Sequence, residues 1–142
     1  MTGVQAGFFL VPIAALTVQV DPLGGVLWGC GRIDPAEVQD AAAAGEFEER
    51  AWDQVKDELH GPASHGFHVR RIAHFLQYGW PDDEHHIRVA VDGLNSRQPV
   101  RIDNGNHRLA AAIIGSGAPV KLLLYYFDVD EIQRYLPGSI AI

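Results

Sequence analysis

The sequence predicts a small α/β (α+β) fold in which helices flank a mixed sheet. Two observations predict it. The second half of the chain alternates short β-prone apolar runs with amphipathic helical patterns, an order typical of mixed α/β proteins. The composition, with 47% hydrophobic and 20% charged residues, is that of a globular protein and excludes global disorder. At 142 residues, the chain is predicted to form a single domain, residues 1–142.

The first 33 residues indicate β-structure. Gly7–Val11 is apolar and β-prone, which predicts an opening strand. Thr17–Val20 and Gly25–Cys30 are also β-prone, and they flank Asp21-Pro22-Leu23-Gly24, whose residues favour a turn. The pattern therefore predicts a hairpin at this point.

Residues 34–60 form an acidic segment with helix signals. Asp34, Pro35 and Glu37 make a helix-start pattern, which predicts a helix that continues through Ala44. A second helix is predicted over Glu46–Leu59, because its apolar residues recur at helical spacing. The segment holds nine acids and two bases and so carries the whole net charge of −7. We interpret it as an acidic helical insertion.

The remaining elements follow from apolar periodicity and from glycine and proline stops. In chain order they are a helix at 65–78, strands at 87–91 and 100–102, a helix at 109–114, a strand at 119–127 and a helix at 128–136. The strand at 119–127 is almost continuously apolar, which is typical of the interior of a sheet.

The uneven charge bears on the partners of the chain. Because nucleic-acid backbones require a basic face, the charge balance speaks against nucleic acid as a partner. The acidic segment 34–60 is predicted first as a solvated face, second as a docking surface for a basic protein and third as a DNA mimic. A homodimer is also allowed. No apolar run reaches the ~18 residues of a membrane span, and no leader pattern is present, so we expect no membrane contact and a cytoplasmic location.

The most informative stretch runs from Ile102 to Ala112. A short strand leads to Asp103, Gly105 allows a tight turn, and a helix begins near Asn106 or His107. The first amides of a helix have no intrahelical partner and carry partial positive charge, which favours anions. The pattern predicts a cradle for phosphate or carboxylate. The alternative is a plain strand–turn–helix joint in which a polar side chain caps the helix.

This stretch also resembles a known signature. Asp103 to Ala112 reads Asp-Asn-Gly-Asn-His-Arg-Leu-Ala-Ala-Ala. It is similar to the Asp-Gly-Asn-His-Arg-Leu-Ala-Ala-Ala signature of the ParB/sulfiredoxin-like superfamily. The helix at 68–73 and the strand at 120–124 are similar to the elements that flank it, so the resemblance covers about residues 65–127. It implies a small α/β domain that binds nucleotide phosphates at the turn.

The resemblance also implies roles for individual residues. Carried over by position, the phosphate-binding residues are Gly105, Asn106, His107 and Arg108. Asp103 would orient the turn or hold Mg²⁺, Arg108 would neutralise transition-state charge, and His107 would act as hydrogen-bond donor or general acid/base. His68 and Arg71 share a helix face and are predicted to help close a nucleotide pocket.

Three departures from the family pattern limit what is carried over. Asn104 is an extra residue between the aspartate and the glycine of the signature. Asn106 stands where sulfiredoxin has its catalytic cysteine, so sulfinic acid reduction is not expected. The chain shows no helix-turn-helix pattern after the signature, so chromosome partitioning is not expected of it.

Histidine and cysteine usage predicts no metal site. The histidines His65, His68 and His74 lie three and six residues apart, and a helix-borne zinc pair requires a spacing of four. His85 and His86 are adjacent and have no cysteine partners. Cys30 is the only cysteine, which excludes an internal disulfide and predicts a packed thiol.

Three functions remain open on these observations. The first is a nucleotide-binding protein, with ATP or CTP and Mg²⁺ as cofactors, which acts as an NTPase or phosphotransferase. The second is a non-catalytic partner-binding or regulatory module of a mobile element or phage. The third is a nuclease of the ParB-like kind, which the charge balance disfavours.

Overall fold

The computed structural model describes residues 3–50, 52–81, 86–115 and 117–142, with the backbone alone described at residue 52. Within these ranges the protein has the predicted α+β architecture, with a mixed five-stranded sheet and six α-helices. No helix in the described ranges has both the length and the apolar character that a membrane crossing requires.

The elements follow the chain in a mixed order. They are β1 (Gln5–Val11), α1 (Ile13–Gln19), α2 (Pro35–Ala44), α3 (Trp52–Val55), α4 (His65–Tyr78), β2 (Arg88–Val91), β3 (Val100–Asn104), α5 (Asn106–Gly115), β4 (Val120–Tyr126), α6 (Val129–Tyr135) and β5 (Ile140–Ala141). Short 3₁₀ turns lie at Pro22–Gly24, Lys56–Glu58 and Pro62–Ser64.

The sheet has the strand order β3-β2-β4-β1-β5. Among the described strands, β2 and β4 pair in parallel, whereas the other three pairs are antiparallel. The predicted apolar strand, now β4, is the middle strand, and Val120, Leu122 and Leu124 are its buried residues. The prediction of a central apolar strand is thereby confirmed.

The chain divides into two compact units. We call Met1–Asp21, Pro81–Asn106 and Ser116–Ile142 the sheet unit, and Pro22–Trp80 with His107–Gly115 the helical unit. The sheet unit holds the sheet, α1 and α6, and α6 packs on β2 and β4. The single-domain assignment stays a prediction.

The helical unit is built around α2 and α4, which pack together. Its core takes apolar residues from both helices, from the small face of α5 and from the loop before α2. The fully buried or nearly buried members include Leu23, Trp28, Ile33, Val38, Ile72, Ala73, Ala110 and Ala111. The α2 start is as predicted, with Asp34 and Glu37 forming a capping box and Gly45 ending the helix at φ +73°.

The predicted hairpin over residues 17–30 is wrong. Residues 13–19 are helical, because Pro12 starts a helix whose Ala15 and Leu16 are buried. Residues 25–31 form a loop instead of a strand, because Gly25, Gly29 and Gly31 adopt φ values of +73°, +64° and +81°, far from those of an extended strand.

The predicted helix over Glu46–Leu59 is also largely wrong. Among its described residues, only Trp52–Val55 is α-helical, followed by one 3₁₀ turn at Lys56–Glu58. The backbone before it bonds to α4 and not to its own helix. The amide of Glu48 donates to the Arg70 carbonyl at 3.2 Å, and Arg71 Nη1 donates to the Glu48 carbonyl at 3.2 Å.

Candidate functional site

The strand–turn–helix joint has the predicted shape. β3 ends at Asn104, Gly105 follows at φ +90°, and α5 begins at Asn106. A Cβ at Gly105 would lie 3.1 Å from the Cα of Ile87, so glycine is required here both for its conformation and for the close approach. Asp103 and Asn104 are exposed at the end of the strand.

The predicted site residues divide between the two units. Asp103, Gly105 and Asn106 belong to the sheet unit. The other four predicted residues, which are His68, Arg71, His107 and Arg108, belong to the helical unit. The structure brings these four together in two pairs, one of histidines and one of arginines.

His68 and His107 form a direct hydrogen bond. The Nδ1 atom of His68 lies 2.8 Å from Nε2 of His107, although the residues are 39 positions apart in sequence. His68 is completely buried, and its Nε2 atom lies 2.8 Å from the carbonyl oxygen of Leu59. His107 is half-buried at the start of α5.

These bonds determine the tautomers of both rings. A carbonyl oxygen only accepts, so Nε2 of His68 carries the hydrogen that bonds Leu59. Nδ1 of the neutral His68 ring is then an acceptor, and Nε2–H of His107 donates to it. The Nδ1 atom of neutral His107 consequently holds a lone pair. The predicted role of His107 as a donor to phosphate therefore requires that the ring first take up a proton.

Trp28 holds the two rings in one plane. Its indole stacks on His68 with ring centroids 4.0 Å apart and on His107 with centroids 4.5 Å apart. The interplanar angles are 14° and 11°, and Phe67 contacts both imidazoles edge-on. The aromatic cover removes water from the pair and limits rotation of both side chains.

The environment keeps both histidines neutral. Burial lowers the pKa of His68, and the charges of His60 and His65 lower it further. Burial also lowers the pKa of His107 to about 3, with additional contributions from His68, Arg71 and Arg108. The ring of His107 is thus uncharged at neutral pH.

Arg71 and Arg108 share one aromatic ring. Their guanidinium carbons lie 5.3 and 5.4 Å from the ring centroid of Phe75. Arg71 Nη1 donates to the carbonyls of Glu48 and Arg50, which ties this arginine to the preceding segment. Burial and the charge of Arg71 together lower the pKa of Arg108.

Arg108 carries a charge that the described part of the chain leaves uncompensated. Among the described residues, no carboxylate lies within ion-pair distance of its guanidinium, and its buried Nε atom has no hydrogen-bond partner. The charged guanidinium is therefore half-buried, beside a second arginine and without an acid from the described residues. Such an arrangement favours an external anion.

A second polar cluster ties α2 to α4. His65 Nδ1 donates to the Cys30 carbonyl at 2.9 Å, and its Nε2 lies 3.0 Å from the carboxylate of Glu37. Both ring nitrogens thus face acceptors, which favours the imidazolium form, and these bonds raise the pKa of His65. The same carboxylate of Glu37 accepts from the amide of Asp34 in the capping box.

This cluster predicts a pH-dependent contribution to stability. Glu37→Gln retains the capping box but removes the charge that His65 faces. Because the folded pKa of His65 is raised, its stabilisation is complete below its unfolded pKa of about 6.5 and is lost as the pH rises through the folded pKa. Both side chains are partly exposed, so we expect the variant to lose about 0.5 kcal/mol at pH 5.5, and less as the pH rises to 9.

Urea unfolding at several pH values measures this difference. Glu49→Gln, which removes one exposed carboxylate of the same acidic segment, is the matched control and should show no comparable pH dependence. A constant difference between Glu37→Gln and the wild type across this range would contradict the assigned role of His65.

Sequence reasoning missed three parts of the site. Trp28 lies in the core at 5% exposure, and its stack on both imidazoles has no sequence signal. The same holds for the Leu59 carbonyl and for the ring of Phe75 between the arginines. Cys30 is buried as predicted, and burial raises the pKa of its thiol.

No group of three or more histidine, cysteine, aspartate or glutamate side chains suited to a metal ion occurs within the described ranges. His85, one of the adjacent histidines considered as a ligand, lies outside those ranges. His86 contacts Phe8 edge-on, with ring centroids 4.9 Å apart.

Comparison of the chain with models of protein families, with curated proteins and with solved structures finds no match. The similarity of Asp103–Ala112 to the ParB/sulfiredoxin-like signature therefore remains a prediction from those residues.

Proposed function

We propose that the protein binds the phosphate groups of a nucleoside triphosphate, ATP or CTP, at the start of α5. The observation that carries this proposal is the uncompensated charge of Arg108, half-buried beside Arg71, with an Nε atom that has no partner in the described part of the chain. A neutral ligand would leave the charge of Arg108 uncompensated, whereas a polyphosphate offers several charged acceptors.

The energetics favour an anion with more than one oxygen. A charged group that is removed from water without a partner costs several kcal/mol in a low-dielectric environment, so proteins pair or solvate such groups. Arg108 presents a planar fork that matches two phosphate oxygens. The unbonded amides in the first turn of α5 add donors and a partial positive charge.

Mg²⁺ would enter this site as the counter-ion of the nucleotide. The proposal includes Mg²⁺ because nucleotide phosphates carry it and because phosphoryl transfer depends on positioning and charge neutralisation. On this proposal the protein is an NTPase or phosphotransferase, and a cytoplasmic location, where nucleoside triphosphates are abundant, belongs to the same proposal.

Removal of Arg108 should abolish binding and leave the ligand-free protein folded. We expect ATP or CTP at 100 times its Kd to stabilise the wild type by about 2.7 kcal/mol. Arg108→Gln should lose this stabilisation without loss of ligand-free stability, since the repulsion from Arg71 disappears together with the contact to Phe75. Thermal unfolding with ATP, CTP, GTP and their diphosphates, with and without Mg²⁺, measures both quantities.

Arg101→Gln is the matched control, because Arg101 is an exposed arginine on β3. It should retain the nucleotide-dependent shift in melting temperature. If no nucleotide shifts the melting temperature of the wild type, the nucleotide proposal fails. The remaining candidate functions are then a partner-binding module that uses the acidic segment 34–60 and a nuclease. Cleavage of plasmid DNA with Mg²⁺ would identify the nuclease.

A further inference from the structure

We propose that Nδ1 of His107 is the general base for a hydroxyl, of water or of an alcohol, that attacks the terminal phosphate, and that His68 is the residue that positions it. The inference rests on the proposed function, because it requires a nucleoside triphosphate at Arg108. To the proposed function it adds the class of phosphate acceptor, a hydroxyl, and the group that removes the proton of that hydroxyl.

The geometry leaves one nitrogen of the pair available. Nε2 of His68 is used by the carbonyl of Leu59, and the bond between the two rings uses Nδ1 of His68 and Nε2 of His107. Nδ1 of His107 forms no hydrogen bond within the described part of the chain, and the residue is half-buried, not enclosed. A lone pair at that atom accepts from a hydroxyl and repels an unprotonated phosphate oxygen.

The surroundings make this base dependent on the ligand. The groups that act on His107 are His68 and Arg71 from α4 and Arg108 from α5, while Trp28 and Phe67 cover the ring. The two other histidines that act on the pair, His60 and His65, do so through His68. In the free protein, burial and the charges of Arg71 and Arg108 keep the pKa of His107 low. A bound polyphosphate offsets both arginine charges and so raises the pKa of His107.

The O–H bond of the acceptor breaks, its proton moves to Nδ1 of His107, and its oxygen forms a bond to the terminal phosphorus. The bond between that phosphorus and the bridging oxygen breaks, and the nucleoside diphosphate leaves with the electron pair. The positive charge formed on His107 is shared through the bond to His68, and the proton later passes to the phosphate product or to water.

Nuclear magnetic resonance of the histidine rings tests the geometry and the ligand dependence without requiring turnover. Long-range proton–nitrogen spectra of the full chain should show hydrogen on Nε2 of both His68 and His107. On titration, the pKa of His107 should rise from about 3 in the free protein towards the ordinary value of about 6.5 when the β,γ-methylene analogue of ATP or CTP is bound.

Phosphate release from ATP and CTP tests the chemistry. His107→Gln should reduce kcat about 100-fold or more with KM little changed. His68→Leu removes the acceptor for Nε2–H of His107, so the hydrogen redistributes to Nδ1, and kcat should fall together with a change in the acidic limb of the pH profile. His68→Gln supplies an oxygen acceptor and an amide donor in the same place and should restore most of the rate.

The outcomes separate the two proposals. Absence of analogue binding overturns both the nucleotide site and the base. If the analogue binds but the pKa of His107 stays near 3, its Nδ1 carries a proton, or His107→Gln releases phosphate at the wild-type rate, the nucleotide site stands and the role of His107 alone is overturned. An absence of phosphate release overturns both the base and the enzymatic part of the proposed function, and leaves nucleotide binding standing.

Discussion

Gly25→Ala should destabilise the helical unit by about 3 kcal/mol or more, because two independent penalties act at this residue. Gly25 adopts φ +73°, a conformation that costs an L-residue about 1 kcal/mol. An added Cβ would also overlap the carbonyl oxygen of Gly31 and lie 2.6 Å from its carbonyl carbon. Because this contact is with backbone, the loop that carries Trp28 must move.

Gly45→Ala separates the two penalties. Gly45 has the same φ of +73°, but apart from its chain neighbours no described residue has an atom within 4 Å of an added Cβ. We therefore expect a loss of only about 1 kcal/mol in this variant. Tryptophan fluorescence during urea unfolding is the suitable measurement, since Trp28, Trp52 and Trp80 all lie in the helical unit. If Gly25→Ala and Gly45→Ala lose the same free energy of unfolding, the loop that carries Trp28 accommodates the added methyl group without further cost.

His68→Leu should cost the helical unit about 2–4 kcal/mol. The side chain is fully buried, so the substitution leaves both the Leu59 carbonyl and Nε2–H of His107 without their partner. It also removes the ring on which Trp28 stacks most closely. Urea unfolding at pH 7 measures the loss.

His60→Leu provides the control, because His60 is exposed and close in sequence, and its replacement should change stability by less than about 0.5 kcal/mol. His68→Gln should recover part of the loss.

The burial of His68 also predicts how stability changes at acidic pH. Since the pKa of His68 is lowered in the folded state, the wild type should lose stability as the pH falls below about 6.5, and His68→Leu should lose less. A neutral effect of His68→Leu would contradict the buried hydrogen-bonded pair.

Most of the fold is predictable where local signals agree with tertiary packing. The cap at Asp34, the apolar face of α4 and the run over β4 each combine a pattern with a clear stop, and all three elements are confirmed. The failures lie where backbone groups bond to distant elements. The backbone of residues 46–50 forms hydrogen bonds with Arg70 and Arg71. The spacing of apolar residues within the segment cannot predict these bonds. The two-residue strand β5 is too short to leave a pattern.

The candidate site was predictable only in part, for the same reason. The turn at Gly105 and the helix that follows are local and were predicted from the order of residue types. The pairing of His68 with His107, and the stack of Trp28 on both, joins three segments far apart in the chain. The charge of Arg108 is evident from the sequence, but only the structure shows that its Nε atom has no hydrogen-bond partner among the described residues.

The position of β1 in the sheet has a consequence for synthesis of the protein on the ribosome. β1 pairs with β4 and β5, and Phe8 lies opposite Leu123. At about 5–20 residues per second, the first strand emerges several seconds to tens of seconds before its partners exist. During that interval the apolar, β-prone segment Phe8-Phe9-Leu10-Val11 lacks its partner strand β4, so an unpaired strand edge is exposed on the nascent chain.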